Sequence, residues 1–319
     1  MLTEVKIDLD RMIPHLAKDE IELSKIREEI SHIKTTQTIY IGDSRNLEMI
    51  EDNSVHLILT SPPYWNLKRY NDSDGQLGHI QEYRIFLEEL DKVWIECYKK
   101  LTIGGRLVVV VGDVLQSRRE HGRHKVVPLH ADIQVRCEKI GYDNLAPIIW
   151  HKISNAKFEV EGNSKFLGKP YEPNGIIKND IEYILMFRKN GGYRKPTYDQ
   201  RRLSIISETE FNKWYQQIWD FNGASTKTHP APYPEELSNR IIRMFSFVND
   251  TVLDPFFGSG TTMVSAIKNG RNCIGIELDH DYSDLAFNRI NNGFGQLFDR
   301  NFNLQKIDLS NGETSTSKL

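Results

Sequence analysis

Apolar positions fall into two regimes along the chain. Before residue 37, Met12, Leu16, Leu23, Ile26, Ile30 and Ile33 recur at spacings of three, four and seven, with charges between them. That stripe predicts an amphipathic helix packed on the main body. Leu23, Ile26, Ile30 and Ile33 also have coiled-coil spacing over a short span, so the alternative is pairing with a second subunit. From Gln37 onward, short apolar runs alternate with helical periods. Thr38–Ile41 reads as a strand ending at Gly42-Asp43, and Val55–Thr60 as another stopped by Pro62-Pro63. Further strands are predicted at Arg106–Val111, Ala146–His151, Ile181–Arg188, Val252-Leu253 and Cys273–Glu277. Helices are predicted over Tyr83–Lys100, Pro128–Lys139, Pro234–Phe247, Thr261–Lys268 and Asp281–Ile290. The first of these puts Phe86, Leu87, Leu90, Val93, Trp94 and Cys97 on one face. The alternation predicts an α/β fold with parallel strands at its centre, and Val108–Val111 suits a strand covered on both faces.

Two stretches fit this alternation poorly. Residues 153–179 are rich in Gly, Asn, Lys and Pro, and residues 189–228 mix aromatics with charge. The polar tail from Ser310 to Leu319 is expected to be disordered. Composition adds little: 319 residues, 39% hydrophobic and 27% charged, describe an enzyme-sized globular chain. No apolar run reaches membrane-spanning length and the N-terminus lacks a signal-peptide pattern, so a cytoplasmic protein with no membrane partner is expected. Cys97, Cys137 and Cys273 are far apart, so neither a metal site nor a disulfide framework is expected. A net charge of −3 confines any nucleic-acid surface to a local patch. One such patch is Arg188–Arg202, where Arg188, Lys189, Arg194, Lys195, Arg201 and Arg202 face a single acid, Asp199, with Tyr193 and Tyr198 interleaved.

The most informative loop is Val252-Leu253-Asp254-Pro255-Phe256-Phe257-Gly258-Ser259-Gly260-Thr261-Thr262, a strand, a glycine-rich turn and a helix start. Gly258 and Gly260 permit close backbone approach to a ligand, and the helix N-terminus offers free N–H groups. Met263 stands where a dinucleotide fingerprint needs its third glycine, and no lysine follows as in a P-loop. Glu277 ends the next strand, where a ribose diol would be bound. These features predict an adenosine-type cofactor whose anionic group is small, a carboxylate rather than a pyrophosphate.

Thr60-Ser61-Pro62-Pro63-Tyr64-Trp65 follows a strand directly. Two prolines stiffen the chain and remove two donors, leaving backbone carbonyls and the Ser61 hydroxyl as acceptors. Acceptors gripping an exocyclic amino group would help it turn pyramidal and nucleophilic, which is positioning and electrostatic stabilisation. Tyr64 offers a face on which a flipped base can stack. Taken alone, the same residues could equally end a strand and fill the core.

Together these segments resemble the amino-methyltransferases of DNA restriction–modification systems, whose catalytic motif is (Asp/Asn/Ser)-Pro-Pro-(Tyr/Phe). Further motifs stand in the family's order: Gly42-Asp43, Leu101–Gly105, Trp150-His151-Lys152, Asp180–Leu185, His229–Pro234, Asp254–Thr262 and Cys273–Asp279. The catalytic motif precedes the cofactor loop, as in the permuted group called β, and the resemblance spans about residues 37–292. It implies a Rossmann-like methyltransferase fold with a seven-stranded mixed sheet, divided into catalytic (37–188), target-recognition (189–228) and cofactor-binding (229–300) parts, with an N-terminal helical extension (1–36) and a tail (301–319). It implies S-adenosyl-L-methionine as cofactor, bound by Asp43, Thr60, His229, Pro230, Asp254, Pro255, Phe256, Gly258, Ser259, Gly260, Thr261, Thr262, Glu277 and Leu278. Ser61, Pro62, Pro63 and Tyr64 would be catalytic. Double-stranded DNA would be contacted by Trp65, Lys68, Arg69, Arg194, Lys195, Arg201 and Arg202, and by a second basic cluster, Arg118, Arg119 and Lys125. Relatives with Ser in the first motif position mostly methylate cytosine-N4, so Ser61 points to cytosine, with adenine-N6, RNA and a protein glutamine amide as alternatives. No cysteine lies in a Pro-Cys motif, so 5-methylcytosine chemistry is not expected. A cognate restriction endonuclease and a homodimer are the further partners implied.

Overall fold

Leu107–Val111, the most continuous apolar run, is fully buried at the centre of a sheet. The computed structural model describes residues 9–65, 71, 75–152, 179–224, 233–293, 301–311 and 314–316. In chain order its strands are β1 (Thr35–Ile41), β2 (Val55–Thr60), β3 (Leu101–Val111), β4 (Val114–Gln116), β5 (Lys125–Val127), β6 (Tyr142–His151), β7 (Ile181–Lys189), β8 (Ile218–Asp220), β9 (Thr251–Asp254), β10 (Asn272–Glu277), β11 (Phe302–Asp308) and β12 (Thr314–Thr316). All but β4 and β5, which form a separate hairpin, join one sheet in the order β12-β11-β1-β10-β9-β2-β3-β7-β6-β8. The strands from β11 to β3 are parallel, and β7 runs antiparallel between β3 and β6.

This order carries the permutation physically. β9 and β10, from the end of the chain, are inserted between β1 and β2, so the cofactor loop and the Ser61 segment leave neighbouring strands at one edge. Open parallel sheets bind ligands at that edge.

Helices cover both faces: α1 (Leu9–Leu16), α2 (Glu20–Ser31), α3 (Tyr83–Lys100), α4 (Arg118–His121), α5 (Leu129–Ile140), α6 (Tyr198–Leu203), α7 (Glu208–Trp214), α8 (Glu235–Phe245), α9 (Thr261–Lys268) and α10 (His280–Gly293). α3 begins where the Glu82 carboxylate accepts from the N–H groups of Arg84 and Ile85, at 3.0 and 2.8 Å, capping the first turn. It buries the six residues of its predicted face, which pack with Leu107, Val109 and Leu185 of the sheet. No helix among the described residues is long and apolar enough to cross a membrane.

Three expectations are corrected. The sheet has ten strands among the described residues rather than seven, because β8 extends one edge and β11 and β12 extend the other. β11 arises in the tail, where Phe302 and Leu304 alternate with polar residues and bury their side chains beside β1. Beyond it, Thr314–Thr316 pairs with β11, so this part of the polar tail is ordered by strand pairing. The N-terminal stripe forms two helices, broken where Asp19 caps α2 by accepting from the Ile21 and Glu22 N–H groups. Leu23 and Ile26 of its apolar face are buried with Ile205. These two positions of the stripe pack within the chain, while Met12, Leu16, Ile30 and Ile33 are half-buried. The irregular stretch 153–179 lies outside the described residues except for Asn179.

One glycine fixes how the cofactor loop sits on the sheet. A Cβ at Gly275 of β10 would stand 2.3 Å from Cδ2 and 2.5 Å from Cγ of the buried Phe257 ring. Overpacking of this kind costs roughly 1–3 kcal/mol. Gly275→Ala is expected to lose about that much unfolding free energy and to weaken cofactor binding, checked by denaturant titration and calorimetry.

Candidate active site

Asp254, at the end of β9, is fully buried and organises the loop that follows. Its carboxylate accepts from Thr60 Oγ1 at 2.8 Å, Tyr233 OH at 3.1 Å, Thr262 Oγ1 at 2.5 Å and the Phe256 N–H at 3.1 Å. These bonds tie the ends of β2 and β9 to the first turn of α9. Burial raises the Asp254 pKa, and the four donors oppose the rise. The chain then turns through Gly258 (φ +51°) and Gly260 (φ +79°), the second serving as the N-cap of α9.

Glu277 ends β10 on the opposite wall. Its carboxylate accepts from the Gly258 N–H at 2.7 Å and the Asp279 N–H at 3.0 Å. Burial pushes its pKa up to about 7, against those two hydrogen bonds. Asp43, just past β1, is held by Arg45, which also pairs with Glu89 at 2.6 Å and donates to Gly75 O at 3.3 Å.

Between these walls lies a solvent-open cleft of about 850 Å³. The predicted residues Asp43, Ser61, Pro63, Pro255, Phe256, Gly258, Ser259, Thr261, Glu277 and Leu278 all line it. Thr60, Asp254 and Thr262 do not: they are buried behind the wall, and their assignment as lining groups is revised to building the loop. Gly260 likewise lies behind the lining, as the helix cap. His229 and Pro230 lie outside the described residues.

The lining fits S-adenosyl-L-methionine on its own chemistry. Among the described residues it contains two carboxylates and no lysine or arginine, which disfavours a pyrophosphate and suits a cationic sulfonium. The Glu277 carboxylate could accept from a ribose diol, and Leu77, Pro255 and Leu278 offer apolar walls to a purine. Gln76, Leu77, Tyr233 and Tyr282 also line the cleft. Tyr233 belongs to the His229–Pro234 motif, whereas Gln76, Leu77 and Tyr282 carry no sequence signal, because their contribution depends on chain segments meeting in space.

Ser61 opens the Ser-Pro-Pro-Tyr turn at the rim of this cleft. Pro62 and Pro63 are buried, fixing the turn. The Ser61 hydroxyl lies 3.4 Å from the Tyr64 OH, which lies 3.4 Å from Val110 O. Both separations are at the outer limit of hydrogen bonding, so neither hydroxyl is tightly committed to the other. Asp113 and His130 stand further along the same edge, joined at 2.5 Å, with the His130 ring stacked on Tyr183 at 3.7 Å. No spacing in the sequence signals that meeting.

The expected DNA-contacting residues divide. Trp65 is buried against Tyr83 and donates from Nε1 to Ile80 O at 2.9 Å, so it is corrected to a core residue. Lys68 and Arg69 lie outside the described residues. Arg194 pairs with buried Asp250, Arg201 with Asp10 and Arg202 with Glu29. These three bind the 189–228 region to the body and the N-terminal helices, so their assignment to phosphate is revised. Arg119, Lys125 and Lys195 are exposed, as is Arg118, which has an intramolecular partner.

A mixed sheet with a parallel centre and permuted strand order, a glycine loop and an acidic strand end facing a Ser-Pro-Pro-Tyr turn define an S-adenosyl-L-methionine-dependent methyltransferase. Comparison with known proteins agrees. The DNA methylase family model (N6_N4_Mtase) matches residues 55–288. The type II methyltransferase M.MjaI of Methanocaldococcus jannaschii is 36% identical over 288 residues, covering 81% of this chain and 92% of the relative. M.MthZI of Methanothermobacter thermautotrophicus is 35% identical, covering 81% and 78%. The structure of a putative DNA modification methylase from Thermus thermophilus, complexed with S-adenosyl-L-methionine, superposes with a TM-score of 0.68 at 48% identity, covering 85% of this chain and 100% of that one. PvuII DNA methyltransferase (cytosine-N4-specific) shares the fold, with a TM-score of 0.58 at 21% identity over 80% of this chain and 86% of its own. The chain belongs to the DNA methylase family, and its cofactor is S-adenosyl-L-methionine.

Proposed function

We propose that this protein methylates the exocyclic N4 amino group of a flipped cytosine in double-stranded DNA, as the modification half of a restriction–modification pair. The observation that carries the reading is Ser61, a hydroxyl on a proline-stiffened turn at the rim of the cofactor cleft. S-adenosyl-L-methionine, when bound, supplies an electrophilic methyl group on a sulfonium. The chain's own residues do the rest. Ser61 Oγ and the backbone carbonyls beside it accept from the amino group, holding its nitrogen lone pair toward the cleft, while Tyr64 stacks the base. The buried prolines keep slack out of that geometry. Glu277 holds the ribose, and the Gly258–Thr261 turn approaches the methionine end.

The identity of the base is tested directly by nucleoside mass spectrometry of duplex DNA incubated with the protein and its cofactor. N4-methylcytosine is the expected product; N6-methyladenine would overturn the cytosine reading and keep the enzyme class. Phosphate contacts are assigned to the exposed Arg119, Lys125 and Lys195. Lys195→Ala should therefore reduce the slope of log affinity against log salt by about 1. Arg202→Ala should leave that slope unchanged and cost at most about 1 kcal/mol of stability, since its partner Glu29 is half exposed.

A further inference from the structure

Beside Tyr64 the sheet edge carries an ion pair that the reaction described above does not use. Lys152 follows β6 immediately, its N–H bonded to Asp180 O at 2.8 Å. Its ammonium meets the Glu182 carboxylate and lies 4.7 Å over the Trp150 ring. Glu182 is the second residue of β7, which runs antiparallel to both β3 and β6. The pair therefore stands at the same end of the sheet as Ser61. Gly112 shows how near it comes to the catalytic ring. A Cβ there would lie 3.3 Å from Glu182 Cγ and 3.4 Å from Tyr64 Cε2, so the acid and the ring flank one residue that has no side chain.

Such a pair is a poor device for stability alone. Taking a carboxylate largely out of water costs several kcal/mol, and a packed apolar pair would often hold two strands as well. Glu182 is 13% exposed and Lys152 32%, so the acid is withdrawn while the ammonium keeps an open side. An ammonium has three donors, and the carboxylate fixes its position without using them all.

We infer that Lys152 reads the target base, donating to the unprotonated ring nitrogen next to the amino group, with Glu182 as the positioning residue. The inference rests on the reading that a base amino group is held at Ser61 over Tyr64. In cytosine that ring nitrogen is N3 and in adenine N1, both acceptors beside an amino group. Thymine and guanine carry a hydrogen at the corresponding position, and an ammonium facing that N–H would have donor against donor. Lys152 thus admits the two amino-bearing acceptor bases and rejects the other two, before any contact from the 189–228 region acts.

The test compares wild type, Lys152→Met and Glu182→Gln on duplexes carrying the natural target base or its deaza analogue. The analogue is 3-deazacytosine where N4-methylcytosine is the product, or 1-deazaadenine where N6-methyladenine is. Wild type should lose about 10- to 100-fold in kcat/KM on the analogue, the range for a hydrogen bond to a charged group. Lys152→Met should lose a similar factor on the natural base and nothing further on the analogue, with cofactor affinity unchanged. Glu182→Gln should show a smaller loss and a reduced discrimination between the two duplexes. Losses that multiply would overturn the inference while leaving the amino-methylation reading intact. If Lys152→Met proves unable to bind cofactor, the wild-type and Glu182→Gln ratios decide: equal rates on both duplexes overturn it. Failure of wild type to methylate any duplex removes the underlying reading and this inference with it.

Discussion

Ser61→Ala should lower methyl transfer to DNA by about 10²- to 10³-fold while leaving cofactor affinity within about twofold. The magnitude is that of removing one preorganised group aimed at developing charge. In the proposed mechanism the group is an acceptor, and what it would stabilise is positive charge building on the amino nitrogen as the new bond forms. The split between rate and affinity follows from position. Ser61 only borders the cleft, whereas the cofactor walls come from the β9–α9 turn and the end of β10. The proline pair keeps the turn in place whatever side chain stands at 61, because Pro62 and Pro63 are themselves buried. Tyr64→Phe should retain most activity, since stacking needs the ring. Tyr64→Ala should lose about 10- to 100-fold through base stacking. Methyl incorporation into duplex DNA and calorimetric cofactor titration check each arm. Wild-type turnover in Ser61→Ala would sink the mechanism.

Much of this arrangement is legible in the residues, and the parts that are not share a cause. The α3 face and the Val108–Val111 strand can be read because their burial is set by local period, and the structure buries those residues as predicted. The two site segments can be read because their chemistry needs unusual local sequence: two prolines after a strand, and two glycines before a helix. β11 escapes such reading because its alternation is short, with only Phe302 and Leu304 to mark it, and it is stabilised by pairing along β1. The basic stretch misleads for a related reason. Charge in a sequence does not reveal its partner, and Arg194, Arg201 and Arg202 find acids 56, 191 and 173 residues away. Trp65 lies beside the catalytic segment, but with a positive φ its side chain packs against Tyr83 rather than facing DNA. Lys152 and Glu182 belong to two separate sequence motifs, and only the antiparallel β6–β7 register joins them. Long-range pairing, not local propensity, separates what can be read from what cannot.

Removing the Glu277 carboxylate should weaken cofactor binding by about 100-fold, the loss expected when hydrogen bonds to a charged acceptor disappear. Glu277→Ala also strips two backbone donors, Gly258 N–H and Asp279 N–H, of their acceptor, so the loop itself would relax. The Glu277→Gln variant is the sharper probe, because it keeps one carbonyl oxygen and removes the charge. In the free protein the carboxyl has a pKa of about 7, raised by burial. If ribose hydroxyls donate to the ionised form, as proposed, binding favours the carboxylate and must release a proton wherever Glu277 is protonated. The sign follows: affinity is full above pH 7 and falls as pH drops through 7. With that pKa the ionised fraction changes about tenfold between about pH 8 and about pH 6, and Kd should rise by about that factor. The cofactor's own amino group also titrates, so the ratio of wild-type to Glu277→Gln Kd is the quantity to follow. That ratio should move about tenfold toward unity over the same interval, as the wild type loses its charge and the variant has none to lose. A ratio independent of pH would mean that Glu277 does not meet the ribose in its ionised form, and the acid would then be a structural clasp between Gly258 and Asp279 alone.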